Sequence, residues 1–374
     1  MGPDPSSRWI VGLSQRHAGL LIGSSLASME TYDGGSIRAE TRRLACYDLG
    51  ELDMFRTMMA ALCCAATVGP AYGQAYGERT ALPRGACDRQ CLESIMDNYL
   101  DALRKKDASA APFAAKARFT ENSVEMPLGE GLWNTVTSVA DNGMKASDTL
   151  TGNVAWFGHA EEHGKLVFLS IRIKVDGSEI TEAETILARR TGMPLIFGTG
   201  KEPHHPAWTQ ALSPQQRKPR PRLQAVADSY FNTVEFNDGQ VFAEFTDDCS
   251  RLENGISTTT SVGDSSSSAS VAEGCEAQFK LGIYRINKQL RERRYPIIDE
   301  ERGIVVAMNF FDHDNSFDEY TLTDGRKMKT LLKWPNSLSI MEAFKIVDGK
   351  IQTIEATFDY VPYGMHSPWY EGKK

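Results

Sequence analysis

The sequence predicts an α+β protein made of two related domains in tandem. Three observations carry this. Two β-rich segments joined by Asp348-Gly349 form the strongest short-range hairpin signal in the chain, and Asp176-Gly177 marks a second hairpin earlier. Amphipathic helical patterns open both halves, at residues 92–105 and 223–234. The order helix, short helix, Phe-Thr-acid-polar corner, strand and long antiparallel region then occurs twice, over residues 86–200 and 222–370. The final stretch, Gly303 to Trp369, reads as the sheet of a cone-shaped domain with polar groups near its mouth.

The 374 residues are 41% hydrophobic and 24% charged, with a net charge of −8. This is an ordinary globular composition. An acidic chain lacks the basic face of a general nucleic-acid binder, so no nucleic-acid partner is expected. No apolar run is long enough for a mature membrane-spanning helix, and no membrane anchor is expected. Residues 1–53 show no sustained periodicity and read as a spurious or disordered leader. Residues 54–75 read as a signal peptide, with Arg56 in a short n-region, an apolar stretch from Ala60 to Val68, and small residues around Ala75. Translation would then start at Met54, Met58 or Met59, and the protein would be periplasmic or secreted. The alternative is a buried apolar helix at 57–68. Cys63 and Cys64 lack the sequence that precedes a lipoprotein cysteine.

Loss of residues 1–75 leaves Cys87, Cys91, Cys249 and Cys275. An even number in an exported chain points to disulfides. Cys87–Cys91 and Cys249–Cys275 are the favoured pairs, the second stapling the Ser-rich segment 257–270 as a tethered lid. Free thiols one helical turn apart are the alternative for the first pair. Neither pair has a Cys or His at ligand spacing, so no metal is expected.

In order, residues 92–105 predict a helix through Ile95, Tyr99, Leu100 and Leu103, and residues 112–119 a short helical or turn segment. Residues 123–126, 165–175 and 181–190 predict strands. Seven Gly and Pro residues between 198 and 221, with a basic run, make 201–221 an inter-domain linker, in which His204-His205 reads as a solvated pair rather than a metal site. Residues 223–234 predict the second opening helix. Phe245-Thr246-Asp247-Asp248 echoes Phe119-Thr120-Glu121-Asn122, and residues 340–344 echo 182–186, which pairs Glu342 with Glu184.

The opening helices, the Phe-Thr-acid corner and the closing Glu342 to Ile351 hairpin resemble the nuclear transport factor 2-like superfamily, also called SnoaL-like or cystatin-like. The resemblance covers about 280 residues. It implies that each half is a bent antiparallel sheet wrapped around helices, with an apolar cavity between. It also implies enzymes that act without redox cofactors, or non-catalytic binding modules. No family catalytic motif maps onto this chain.

Candidate chemistry therefore rests on the residues themselves. Glu342 shares a strand face with Ile340, Phe344 and Ile346, which would desolvate it into a general base; pairing with an arginine is the structural alternative. His313, between Asp312 and Asp314, is a second base candidate, or part of a polar loop. Asp248, Arg251 and Asn254 offer polar binding groups, with Arg251 and Glu253 on one face. Tyr360, Tyr363, His366 and Trp369 could line an aromatic pocket or form an inter-domain or dimer contact. Trp334 stands beside Lys327, Lys329 and Lys333 as a further binding candidate. No Walker loop, nucleophile elbow, Rossmann glycine pattern or zincin motif is present. The expectation is an exported, cofactor-independent lyase (dehydratase-like) or isomerase that abstracts a proton from a small, partly apolar organic ligand. The alternative is a non-catalytic binding or protein-interaction module using the same cavity.

Overall fold

The computed structural model describes residues 87–191, 195–259, 274–330 and 332–370. The expected leader, the signal peptide and most of the Ser-rich segment lie outside them. The first domain runs through helix α1 (Arg89–Lys105), strands β1 (Phe113–Glu121) and β2 (Val124–Glu125), helix α2 (Leu132–Thr135), and strands β3 (Val136–Val139), β4 (Met144–Asp148), β5 (Asn153–Glu162), β6 (Lys165–Asp176) and β7 (Glu179–Ala188). Asp88 caps α1 by accepting from the Cys91 amide, and Lys106 ends it in the left-handed region. The buried stripe Leu92, Met96, Tyr99 and Leu103 lies against the sheet. Residues 113–119 are strand rather than the expected helix or turn. An alanine-rich run has little intrinsic preference against helix, but pairing in parallel with β7 decides its state.

The second domain repeats the plan with helix α3 (Arg220–Phe236), strands β8 (Phe245–Glu253) and β9 (Ile256–Ser257), helix α4 (Cys275–Leu281), and strands β10 (Gln289–Asp299), β11 (Ile304–His313), β12 (Glu319–Thr321), β13 (Lys327–Lys329), β14 (Asn336–Val347) and β15 (Lys350–Val361). Its sheet order is β10-β11-β14-β15-β8-β9, and that of the first is β2-β1-β7-β6-β5-β3. In each, the first strand pairs in parallel with the last. One difference between them is an insertion. Where β5 turns directly into β6 at His163-Gly164, β11 and β14 are joined by an excursion carrying the β12–β13 hairpin. That hairpin packs Tyr320 and Leu322 on Ile283, just after α4.

Both disulfides form as expected, Cys87–Cys91 and Cys249–Cys275.

The closing hairpins fix the true correspondence between the halves. After a bulge in each, Val175 pairs with Ile180 and Ile346 with Ile351. Counting from these pairs, Glu342 matches Ile171, while Glu184 matches Glu355. The expected equivalence of Glu342 and Glu184 is therefore wrong: they lie on different strands of the hairpin. The Phe-Thr echo is also out of register, because Phe113 and Phe245 pair with Ile180 and Ile351. Glu121-Asn122 then matches Glu253-Asn254. Asn122 and Asn254 do the same job: each sits at positive φ in a tight turn and clamps the last strand by donating to and accepting from one backbone residue. That residue is Leu187 for Asn122 and Phe358 for Asn254.

The two sheets face each other through their outer surfaces. Met144, Ala155, Phe157 and Ile186 meet Ile304, Val306, Met308, Met341 and Ala343 in an apolar layer. Strands such as β11 are consequently buried on both faces, which is why their sequences run apolar without alternation. Ion pairs rim this layer: Arg89–Asp299 at 2.6 Å, Arg220–Asp148 at 2.7 Å and Arg294–Glu184 at 2.6 Å. Part of the expected linker belongs to this interface. Trp208 is only 2% exposed within it, and His204 lies 2.7 Å from Glu355 in an ion contact. Proline and basic composition alone concealed the buried tryptophan.

Candidate functional site

Alternation places one face of the second sheet against α3 and α4. From β11 come Val305, Ala307, Asn309 and Phe311, from β14 Ile340, Glu342 and Phe344, and from β15 Ile354, Ala356 and Phe358. Glu342 pairs across the strands with Ala307 on one side and Ala356 on the other, and Ala356 with Glu253. Two alanines thus leave the Glu342 carboxyl flanked by little bulk, beneath Tyr230 of α3.

Glu342 is 1% exposed. Burial, then the nearby Glu253 charge, pushes its carboxyl up to about 8, against a hydrogen bond from Tyr230 and the charge of Arg251. Its Oε2 has no hydrogen-bond partner. Arg251, also 1% exposed, donates to Gln278 Oε1 and to the Tyr284 hydroxyl, and its plane lies 5.1 Å from both the Phe279 and Tyr284 rings. Burial opposes its charge, but Tyr284, Glu253 and Tyr230 outweigh burial and hold its pKa above the ordinary value. The Glu253 carboxylate stands 3.8 Å away, an ion contact longer than a hydrogen bond. Tyr230 links the two groups: it hydrogen-bonds with Arg251 and with Glu342. The result is an enclosed acid, phenol and guanidinium chain inside the second sheet.

The first domain has no such chain. Position by position, Trp156 stands for Ala307, Gly158 for Asn309, Ile171 for Glu342 and Phe119 for Arg251. The Trp156 ring lies across Gly158, where any Cβ would come within 2.5 Å of it. Only Tyr99 and Glu121 persist, in the places of Tyr230 and Glu253. Tyr99 packs edge-to-face on the Trp133 ring at 5.2 Å, and Glu121 is tied to Arg189 at 3.1 Å and to the Leu132 amide at 2.7 Å.

The structure brings together Glu342 and Arg251 among the sequence candidates, and separates the others from them. His313 is buried, but it is held between Asn336 Oδ1 at 3.0 Å and Asn287 Oδ1 at 2.8 Å. Burial lowers its pKa despite Asn336, Asp312 and Asp314. Its cross-strand partner Asn336 lies six residues from Glu342 along β14, about 20 Å at the usual strand rise. Asp312 points to the opposite face, in a two-pronged pair with Arg291 at 2.7 and 3.1 Å. Asn254 is the turn clamp described above. Asp248 is exposed beside Gln352. Trp334 is 69% and Tyr363 48% exposed. Tyr360 is half-buried, burial raising its pKa. His366 contacts Glu292 at the surface. Trp369 leaves this group altogether: it donates to Thr120 Oγ1 at 2.8 Å and stacks with Arg118 at 4.4 Å, an inter-domain contact. The four residues do not come together in one pocket; Trp369 lines a cavity of about 1250 Å³ with Arg118, Arg172, Arg294 and Tyr295.

Sequence reasoning missed Tyr230, Gln278, Tyr284 and Asn309. Tyr230 had a usable signal, since it occupies the same place before the helix end as Tyr99. Gln278 and Tyr284 follow a Ser-rich stretch with no periodicity to orient them.

Among the described residues, no group of three or more His, Cys, Asp and Glu side chains is placed to hold a metal ion. No described helix is long and apolar enough to cross a membrane.

Solved structures of similar fold include an NTF2-like protein from Cytophaga hutchinsonii (14% identity, 26% of this chain and 91% of that one, TM-score 0.23). Another is a cystatin-like protein from Methylobium petroleophilum (15% identity, 36% and 99% coverage, TM-score 0.25). A third is AclR, a putative hydroxylase from Streptomyces galilaeus (12% identity, 38% and 83% coverage, TM-score 0.25). No curated protein matches the chain. The family described as Domain of unknown function (DUF8021) matches residues 86–187 and 216–358, one segment in each α+β domain, and the chain belongs to that family.

Proposed function

We propose that the second domain binds a small, partly apolar organic molecule against the inner face of its sheet, and that Glu342 exchanges a proton with it. The chemistry would be that of a cofactor-independent lyase or isomerase. Glu342 takes the proton, while Tyr230 and Arg251 stabilise the negative charge that develops on the substrate oxygen. The first domain serves as scaffold. The observation that supports this is the substitution of one interior patch: Trp156, Gly158, Ile171 and Phe119 in the first domain, Ala307, Asn309, Glu342 and Arg251 in the second. A buried acid beside two alanines weakens the fold, and groups of this kind concentrate where ligands react. Two disulfides agree with an oxidising compartment, and we place the protein in the periplasm or outside the cell.

Proton abstraction can be measured without knowing the product. Beta-tetralone in deuterated water is followed by NMR for exchange of the hydrogens beside its carbonyl. The wild type is expected to accelerate exchange, increasingly as pH rises through about 8 where Glu342 ionises, and Glu342→Gln to lose the acceleration. Binding of the ketone without faster exchange would reject the lyase or isomerase reading and leave a binding module. Absence of binding would reject both.

A further inference from the structure

The outer faces of the two sheets touch in the apolar layer and part beside it. There a cavity of about 1250 Å³ opens, between β1, β6 and β7 of the first domain and β10 and the C-terminal tail of the second. Small-molecule sites span roughly 300–1,000 Å³, so this space admits a ligand together with water. The register of the first sheet sets its floor. Arg118 and Lys174 flank Glu182 on either side, and Arg172 lies two residues from Lys174 on the same face. Trp369 rests against this floor, its ring centroid 4.4 Å from the Arg118 guanidinium and 5.1 Å from that of Arg172.

The floor carries more donors than the protein supplies with acceptors. Arg172 is 3% exposed. Its Nε bonds to Glu184 and its Nη1 to Asn153 and Glu182, while its Nη2 has no hydrogen-bond partner among the described residues. Arg118 gives Nε and Nη2 to one oxygen of Glu125, which leaves Nη1. Lys174 Nζ stands 3.6 Å from Glu182, beyond hydrogen-bond length. A guanidinium stacked on an indole keeps its N–H groups available in its own plane. On the opposite wall, Arg293 is engaged by Asp228 and Glu235, and Arg294 by Glu184.

The second domain shows that the fold does not require these cations. Counting from the closing hairpins, Ala343 takes the place of Arg172 and Lys345 that of Lys174. Ala343 joins the apolar layer, and Lys345 spends its ammonium on the carbonyls of Gln210 and Arg302 at 2.7 and 2.5 Å.

We infer that this cavity binds an organic anion, a carboxylate or phosphate carried on a flat apolar body. The anionic group accepts from Arg172, Arg118 and Lys174 in charge-assisted hydrogen bonds. The body lies along Trp369, Tyr295 and Leu150, the last 71% exposed at the rim. The site is separate from Glu342, which lies on the inner face of the other sheet.

The test uses 2-naphthoate, 2-naphthyl phosphate and the neutral 2-naphthamide, which share one body and differ in the polar group. Dissociation constants are measured by calorimetry at low salt on the wild type, Arg172→Gln, Lys174→Gln and Trp369→Ala. The wild type is expected to bind one of the anions at least about tenfold more tightly than the amide, the scale of a hydrogen bond to a charged group. The tighter of the two anions tells carboxylate from phosphate. Arg172→Gln and Lys174→Gln should each remove most of that preference and leave the amide unaffected, and Trp369→Ala should weaken all three probes. Arg172 belongs to a buried ion network, whereas the Lys174 side chain is 44% exposed, so its variant removes the charge without a folding defect. Equal binding of anions and amide by the wild type, binding of none, or an anion preference that survives in Lys174→Gln would overturn the assignment. Displacement of the bound anion by beta-tetralone would place it at the Glu342 site and overturn it as well.

Discussion

Replacing Glu342 by glutamine should remove a pH-dependent weakness from the fold. In the native protein the carboxyl titrates at about 8 rather than its ordinary 4.5, chiefly because it is buried and faces Glu253. Between these values the unfolded chain has released a proton that the folded chain retains. Wild-type stability therefore falls as pH rises through this interval and levels off above it. At about 1.4 kcal/mol per pH unit, the whole interval corresponds to a ceiling of ~5 kcal/mol. Glu253, Tyr230 and Arg251 all act on Glu342, and their contributions are not independent, so about 2–5 kcal/mol is expected. Glutamine is neutral at every pH and close in shape. The variant should match the wild type near pH 4 and exceed it by that amount at pH 9. Urea unfolding followed by tryptophan fluorescence at a series of pH values reads the difference directly, with Trp133, Trp156 and Trp208 all buried. Parallel stability curves for the two proteins would show that Glu342 is not a buried, neutral acid. A variant less stable at pH 9 would show that its charge is paired and favourable. Either result would remove the basis for its chemistry.

Four further outcomes follow from the architecture. Trp208→Ala, at the interface between the sheets, should lower unfolding stability by about 3–5 kcal/mol through the cavity it leaves. Asn122→Ala and Asn254→Ala should cost similar amounts, roughly 2–3 kcal/mol each by denaturant titration, because both clamps make the same two backbone hydrogen bonds. Breaking Cys249–Cys275, which closes 26 residues, should cost about 3 kcal/mol, and Cys87–Cys91, which closes 4, about 2 kcal/mol, measured as double alanine variants. His313→Gln should leave probe binding at the Glu342 site unchanged by calorimetry, since six residues of β14 separate the two positions.

The fold was legible because hairpin turns and helix stripes are local. Asp348-Gly349 at positive φ joins two strands in the expected place, and the buried stripes of α1 and α3 match their sequence periodicity. The register between the halves was not legible. The echo of residues 182–186 in 340–344 set β14 beside β7, whereas β14 answers to β6, and only the pairing across each closing hairpin shows which strand is which. The segment 113–119 was lost for a different reason, as its partner strand lies far along the chain.

The same register error hid the site. With Glu342 set beside Glu184, the acid looked shared and therefore structural; with Ile171 as its true counterpart, it belongs to the second domain alone. Glu184 lies on the outer face, bonded to Arg172 and Arg294 between the domains, which is what a scaffold carboxylate does. A duplicated domain offers an internal control: both copies bury the same tyrosine and glutamate, so those two groups serve the fold in each, and Tyr230 differs in having Glu342 and Arg251 beside it. What distinguishes the second copy is the exchange of bulk for polarity at Trp156, Gly158, Ile171 and Phe119. Each exchange alone weakens packing, and the four fall on one inner face beneath one helix. The outer face changes as well, but in the other direction: Ser170 and Arg172 give way to Met341 and Ala343, which join the apolar layer between the domains. Only the inner face trades bulk for buried charge, and packing between the domains does not account for that exchange.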